Sequence, residues 1–442
     1  MKKFLALALA LVMALSLVAC GSEPATSTPT ESTPAEGGAA GGTNITLWTY
    51  PVGAWKDEAT VNGFIAKFNE AHPEIAVKVE YLDYTSGDDQ VTAAIEAKTT
   101  PDIILEGPER LVSNWGAKGK MVDLADLWDD EALKDISATS QAVVNACKSA
   151  DGKYYEYPLC MTTHCMAINY EVFEKADALQ YLDLENRTWT TENFQKAMKA
   201  VKDSGLVQET GIVYCGGQGG DQGTRALAQN LFSASFTDPA HTTYTMNSEA
   251  GVKGLQLLVD MTKEGTLSYD AGAVASDELQ LFANGTIGMS FCWNASNEAQ
   301  YASQVQFTPY AMAFPSDDGA AELAGGIWGF GIFDNGDAAK IDAAKTFIEF
   351  VCDDATQGPA SVAATGFFPV RSSFGNVYAG SDKEERMGVY ASFLPSLGDY
   401  YNVTPAWTEQ RTAWWNMLQQ IFGGNDVQAS ADAYVDTVAA AM

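Results

Sequence analysis

The chain reads as an α/β protein built from two domains. Short strand-like runs alternate with amphipathic helix-like segments, the pattern of a mainly parallel sheet with helices on both faces. Behind a polar N-terminal region about 400 residues remain, too many for one compact core. No later apolar run approaches the roughly 18 residues needed to cross a bilayer.

The first strand is Asn44-Ile45-Thr46-Leu47-Trp48-Thr49-Tyr50, broken by Pro51 and Gly53. A helix follows with Val61, Phe64, Ile65 and Phe68 on one face, and His72-Pro73 ends it. Ile75, Val77, Val79 and Tyr81 then alternate as a second strand. A helix around Gln90 to Lys98 leads through Pro101 into the apolar strand Asp102-Ile103-Ile104-Leu105. In such sheets ligands lie beyond the carboxyl ends of the strands. That rule places Trp48, Thr49, Tyr50 and the stretch from Glu106 to Arg110 at a mouth. From Tyr154 the pattern changes. Tyr155 to Leu159 and Cys165 to Tyr170 read as strands of another sheet, with helices over Glu171–Leu179, Thr191–Ser204 and Ser248–Glu264. Gly216-Gly217-Gln218-Gly219-Gly220 lacks the Lys-Ser/Thr ending of a phosphate loop and reads as an ordinary loop.

The N-terminus carries its own information. Lys2 and Lys3 precede the short apolar run Phe4 to Val18, the layout of an export signal over residues 1–19. The ending Leu17-Val18-Ala19-Cys20-Gly21 resembles the bacterial lipobox, which implies acylation of Cys20 and an anchor in the cell membrane. Residues 20–43 are mostly Gly, Ser, Thr, Pro, Ala and Glu, with no apolar face to bury, and read as a disordered tether. Such a tether reaches on the order of 25 Å.

Composition narrows the ligand. There are 57 acidic against 26 basic residues, a formal charge of −31. This surface repels nucleic acid, anionic lipid and anionic substrates, so a neutral or cationic ligand is favoured. Six cysteines follow Cys20, at 147, 160, 165, 215, 292 and 352. Their settings favour buried thiols over disulfides. The histidines at 72, 164 and 241 are scattered, so neither a metal site nor a cofactor is expected.

Read in order, these segments resemble the extracellular solute-binding proteins of ABC importers, in particular the sugar-binding branch that includes maltodextrin-binding proteins. Ile45-Thr46-Leu47-Trp48 leads to the Phe64–Pro73 helix end, as in that family. Pro101-Asp102-Ile103-Ile104 precedes Gly119-Lys120-Met121-Val122-Asp123-Leu124. Asp151-Gly152-Lys153-Tyr154, Tyr157-Pro158 and Ile168-Asn169-Tyr170 follow, then Thr188-Trp189-Thr190. Phe282 to Met289, Gly325 to Gly331 and Gly366 to Arg371 complete the series. Cys165 departs from the pattern, which has a small or apolar residue there.

The resemblance implies a periplasmic-binding-protein-like fold, with two α/β lobes, multiple hinge crossovers and a ligand cleft between the lobes. The first lobe is expected over 44–161 with about 315–352, the second over 162–314 with about 353–442. Crossings are expected near Thr162 to Met166, after Phe314-Pro315 and after Cys352. The implied function is a lipid-anchored receptor on the outer face of a bacterial membrane. It binds a carbohydrate, a neutral oligosaccharide, and hands it intact to the permease subunits of an ABC importer, acting as a monomer and not as an enzyme.

Sugar recognition needs flat aromatic faces and planar hydrogen-bonding groups. Trp48 and Tyr50 flank the end of the first strand. Glu109 and Arg110 match an acidic–Arg pair that contacts sugar in the maltodextrin branch, and Glu106 stands where that branch has an aromatic. Trp293 follows an apolar strand as cleft tryptophans do in relatives, and Trp328 is embedded among glycines. Arg371 is a candidate hydroxyl clamp or a lobe-boundary ion pair. Trp407 resembles the stacking Trp before the branch's Arg-Thr-Ala helix, here Arg411-Thr412-Ala413. Two rivals remain at this level: a receptor for a cationic ligand such as a polyamine, and an extracellular carbohydrate-active enzyme, for which no nucleophile or metal motif is present.

Overall fold

The computed structural model describes residues 42–216, 222–320, 323–398, 404 and 406–442. The expected signal over 1–19, Cys20 and nearly all of the 20–43 tether lie outside the described residues, as do residues 217–220 of the Gly-rich loop; Thr43 already opens the first strand. Among the described residues no helix is long and apolar enough to cross a membrane.

Eleven strands are described: β1 (Thr43–Thr49), β2 (Ile75–Tyr81), β3 (Ile103–Glu106), β4 (Tyr157–Thr163), β5 (Cys165–Asn169), β6 (Ile212–Tyr214), β7 (Ser268–Asp270), β8 (Met289–Trp293), β9 (Pro309–Met312), β10 (Gly325–Ile332) and β11 (Phe368–Pro369). Six form one sheet in the order β11-β4-β10-β3-β1-β2. Three more form a sheet ordered β8-β5-β9, and β6 pairs with β7.

The expectation of a mainly parallel sheet holds for one half of the large sheet. β1 runs parallel to β2 and β3, joined by the helices Glu58–Ala71 and Gly87–Ala97. β10 is antiparallel to both β3 and β4, and β11 is antiparallel to β4. β10 and β11 return from distant parts of the chain and are not bound to the parallel direction that a short helical crossover imposes, whereas β4 runs the same way as β3.

The local signals work as chemistry requires. Thr190 caps the helix Thr191–Ser204 by accepting from the Asn193 N–H at 3.2 Å, and Gly205, at φ 62°, ends it. Ser248 caps Glu249–Glu264 in the same way, with Gly265 at its end. The expected helix Glu171–Leu179 is shorter, Tyr170–Lys175, because Asp177 adopts φ 56° and breaks it.

Two large apolar cores divide the chain. One is built on the six-stranded sheet, with Ile45, Leu47, Trp55, Phe68, Leu105, Phe330 and Phe347 among its members. The other surrounds the three-stranded sheet and includes Phe173, Phe194, Leu258, Phe291 and Trp414. The chain leaves the first sheet at Thr163 and enters the second at Cys165, so His164 is the single residue between them. It returns between Met312 and Gly325. The final departure comes later than expected. After Cys352, the helix Gln357–Thr365 still packs Val362 into the first core, and β11 pairs with β4. Val370 belongs to the first core and Tyr378 to the second. All six described cysteines are buried thiols outside any disulfide.

Candidate functional site

A small third cluster of buried side chains sits beyond the carboxyl ends of β1 and β3. Tyr50, Leu82, Ile104, Trp115, Tyr155 and Phe333 form its floor, with Trp48 and Tyr84 packed against it. Arg110 stands at its centre, only 5% exposed. The short turn Pro108–Arg110 runs directly from β3 into π-helical Leu111–Gly116, which aims the guanidinium back across the strand ends.

Arg110 is held by carboxylates on two sides. Nε lies 2.7 Å from Asp88 Oδ1 and Nη2 3.1 Å from Oδ2, a bidentate fork. Nη1 lies 2.7 Å from Glu106 Oε1, and Glu109 Oε1 is 3.7 Å away. Three rings surround the cation, with centroids at 5.3 Å for Tyr50, 5.6 Å for Tyr84 and 5.1 Å for Trp407. Tyr50 donates to Asp88 at 2.6 Å and stacks on Tyr84 at 5.1 Å; Tyr84 donates to Glu106 at 3.2 Å.

Burial dominates the electrostatics here. It pushes the Tyr50 hydroxyl up, with Asp88 adding to the effect. It pushes the Glu106 carboxyl to about 8, against the pull of Arg110 and with the push of Glu109 and Asp88. Glu156, fully buried just before β4, is held well above the usual carboxylate range by burial and by Glu109 and Glu106. Neither of its carboxylate oxygens has a hydrogen-bond partner among the described residues.

The sequence-derived candidates separate into two groups. Trp48, Tyr50, Glu109 and Arg110 come together, and Trp407 joins them from the N-terminus of the helix Trp407–Phe422. The Trp407 indole N–H is buried and has no partner among the described residues. Trp328 lies within reach of the Tyr84 hydroxyl and stacks on Phe367 at 4.8 Å, its backbone at a bulge against β4. Trp293 and Arg371 lie apart. Trp293 is fully buried in the second core, edge-on to Phe282 at 5.2 Å, and donates to the Tyr390 hydroxyl at 2.7 Å. Arg371 pairs with Asp353, Tyr157 and, at 3.5 Å, Asp135, beside a cavity of about 520 Å³ whose lining includes six acidic side chains.

Sequence reasoning missed Tyr84, Asp88 and Glu156. Tyr84 and Asp88 follow β2 in a segment without a motif, and reach the site through the β1–β2 pairing. Glu156 sits inside the Tyr155–Leu159 segment that reads as plain strand. A charged residue within an apolar run was the available signal.

Buried titrating groups also set the pH response. Glu278 is 1% exposed, accepts from Ser290 at 3.1 Å and from the Phe291 N–H, and burial raises it to about 8. Glu278 and Glu106 therefore bind protons more tightly folded than unfolded. Their contribution is complete below about pH 4.5 and is lost as pH rises through 8. His164 behaves oppositely. Burial, then Arg225, lowers it to about 4, and its Nδ1 accepts from Asn294 Nδ2 at 3.3 Å. Its contribution is complete above about 6.5 and lost as pH falls toward 4. From these groups stability should be greatest near pH 4.5, where the two carboxyl contributions outweigh the His164 loss, and fall by several kcal/mol toward pH 9. Urea denaturation across this range checks it, and Glu278→Gln should flatten the alkaline limb.

Two apolar cores, joined where the chain passes from β4 to β5, and a buried aromatic–guanidinium cluster beyond the strand ends suit a protein that binds a solute. Residues 63–387 match the family of bacterial extracellular solute-binding proteins, and the chain belongs to it. Solved structures share the fold at low identity. The GacH receptor of Streptomyces glaucescens GLA.O, solved unliganded and with acarbose, superposes at a TM-score of 0.69 with 15% identity, over 90% of this chain and 98% of that one. The cyclic alpha-maltosyl-1,6-maltose binding protein of Arthrobacter globiformis gives 0.71 and 20%, over 91% and 99%. A maltose/maltodextrin-binding domain from Bdellovibrio bacteriovorus, bound to maltotriose, gives 0.66 and 14%, over 90% and 98%. No curated protein matches the chain.

Proposed function

We propose that the protein is a membrane-tethered receptor that binds a carbohydrate and delivers it, chemically intact, to the permease of an ABC importer. The observation that carries this reading is the Trp407–Arg110 pair. It brings a flat indole from the helix Trp407–Phe422 against a guanidinium held by the Asp88 and Glu106 carboxyls. The orphaned Trp407 N–H adds a donor suited to a sugar hydroxyl. Trp48, Tyr84 and Trp328, all partly exposed, supply further faces for pyranose C–H surfaces. The acarbose and maltotriose bound in two structural neighbours, and the name of a third as a cyclic alpha-maltosyl-1,6-maltose binding protein, support the same ligand class.

In this reading the two cores belong to two lobes. The first comprises 44–161 with about 315–370, and the second 165–314 with the remainder, hinged at His164 and at the two later crossings. Ligand bridging both lobes shifts an open–closed equilibrium toward the closed form, which docks on the permease. No bond is broken. Export through the segment 1–19 and acylation of Cys20 place the receptor, as a monomer, on the outer face of the cell membrane.

Calorimetry against malto-, xylo-, manno- and galacto-oligosaccharides tests the proposal. At least one series should bind, and Trp407→Ala should weaken it tenfold or more. Heatless titrations throughout, with an unchanged scattering envelope, would sink it.

A further inference from the structure

His164 stands where the chain leaves one sheet for the other. β4 is antiparallel to β10, which is antiparallel to β3, so β4 shares the direction of β1 and β3. Its carboxyl end therefore falls on the sheet edge that carries the Arg110 cluster, and His164 is the next residue beyond it. The imidazole is partly exposed there. The backbone N–H donates to the Ala324 carbonyl at 2.7 Å, which ties the β4–β5 passage to the segment returning into β10.

The surrounding hydrogen bonds assign the ring proton. Asn294 caps the helix Ala295–Tyr301, its Oδ1 accepting from the Asn297 N–H at 2.9 Å. That contact orients the amide, so the nitrogen facing His164 Nδ1 at 3.3 Å is Nδ2, which can only donate. Nδ1 must accept, and the neutral ring carries its proton on Nε2. A proton added at Nδ1 would face the Asn294 amino group and set a second positive charge near Arg225, itself 3% exposed. The ring is thus held as one neutral tautomer. Its Nε2–H has no acceptor among the described residues, although Nδ1 and the backbone N–H are both engaged.

We infer that His164 is a ligand-contacting residue, a neutral imidazole between the two sheets that donates its Nε2–H to a hydroxyl or ring oxygen of the bound carbohydrate, with Asn294 as the positioning residue that fixes the tautomer. The inference rests on the carbohydrate-receptor reading and adds to it a contact at the β4–β5 passage. A fixed donor selects for an acceptor oxygen at its place, and a sugar unit lacking that oxygen leaves the N–H unpaired.

The test titrates the full-length protein calorimetrically, at neutral pH, with malto-, xylo-, manno- and galacto-oligosaccharides. The series that binds the wild type should lose about tenfold in affinity in His164→Ala, whereas His164→Gln, whose amide nitrogen extends to the Nε2 position, should keep most of it. Magnetic resonance of wild-type protein carrying isotope-labelled histidine should show His164 as the Nε2–H tautomer. Saturating oligosaccharide should shift that signal, assigned by its loss in His164→Gln, and leave those of His72 and His241 in place. A ring that only supports the fold gives no such shift, so the signal decides even if His164→Ala fails to fold. Unchanged affinity in folded His164→Ala, or an Nε2–H signal that saturation leaves where it was, would overturn the inference and leave the receptor reading intact. No binding by any series would remove both.

Discussion

Arg110→Met should remove about 3–5 kcal/mol of folding stability and reduce ligand binding below detection. The guanidinium is the shared partner of Asp88 and Glu106, and Glu106 is 1% exposed. Deleting the guanidinium takes the bidentate partner from Asp88 and a donor from the buried Glu106 carboxyl, which is far more destabilising than losing an exposed ion pair. It also removes the cation that three rings face, so Tyr50, Tyr84 and Trp407 lose their common centre. Arg110→Lys is the discriminating control. It restores charge without the planar fork, and cannot bridge Asp88 and Glu106 at once. Intermediate stability with poor binding is expected. Urea denaturation and calorimetry on the same samples separate the two effects, and an unchanged unfolding midpoint in Arg110→Met would refute the role assigned to this cluster.

Trp293→Ala should cost about 3–5 kcal/mol of stability, acting on the fold before the ligand. The indole is fully buried between Phe282 and Tyr301, and its N–H feeds a chain through Tyr390 to Glu298, the last step at 2.5 Å. Truncation opens a large cavity in the second core and strands the Tyr390 hydroxyl. Trp293→Phe should recover much of the packing and none of the hydrogen bond. Wild-type stability with lost binding in Trp293→Ala would mean that the ring faces the cleft after all, as its place after an apolar strand suggests.

Trp293 and Trp407 show where sequence reasoning reaches its limit. Each follows a family-like motif, and the sequence favours a ligand platform over core for both. β8 pairs with β5, and the register that sets Cys165 opposite Trp293 turns the indole into the second core. Trp407 begins a helix rather than ending a strand, and its position against Arg110 depends on contact between segments about 300 residues apart. Asp88 was invisible for a related reason. Its helix looks like any polar-faced amphipathic helix until β1 and β2 align and bring it beneath Tyr50.

Sequence alone determined the class of protein. Strand–helix alternation, the Pro101–Leu105 strand with Arg110 beyond it, and the ordered family motifs are local or short-range patterns, and they are legible because backbone periodicity and turn chemistry act over a few residues. Tertiary structure decided the reversed direction of β10 and β11, the late departure after Val370, and which aromatics and carboxyls meet around Arg110. Those outcomes depend on strand register and on chain reversals between distant segments, where a shift of one residue turns a side chain from cleft to core.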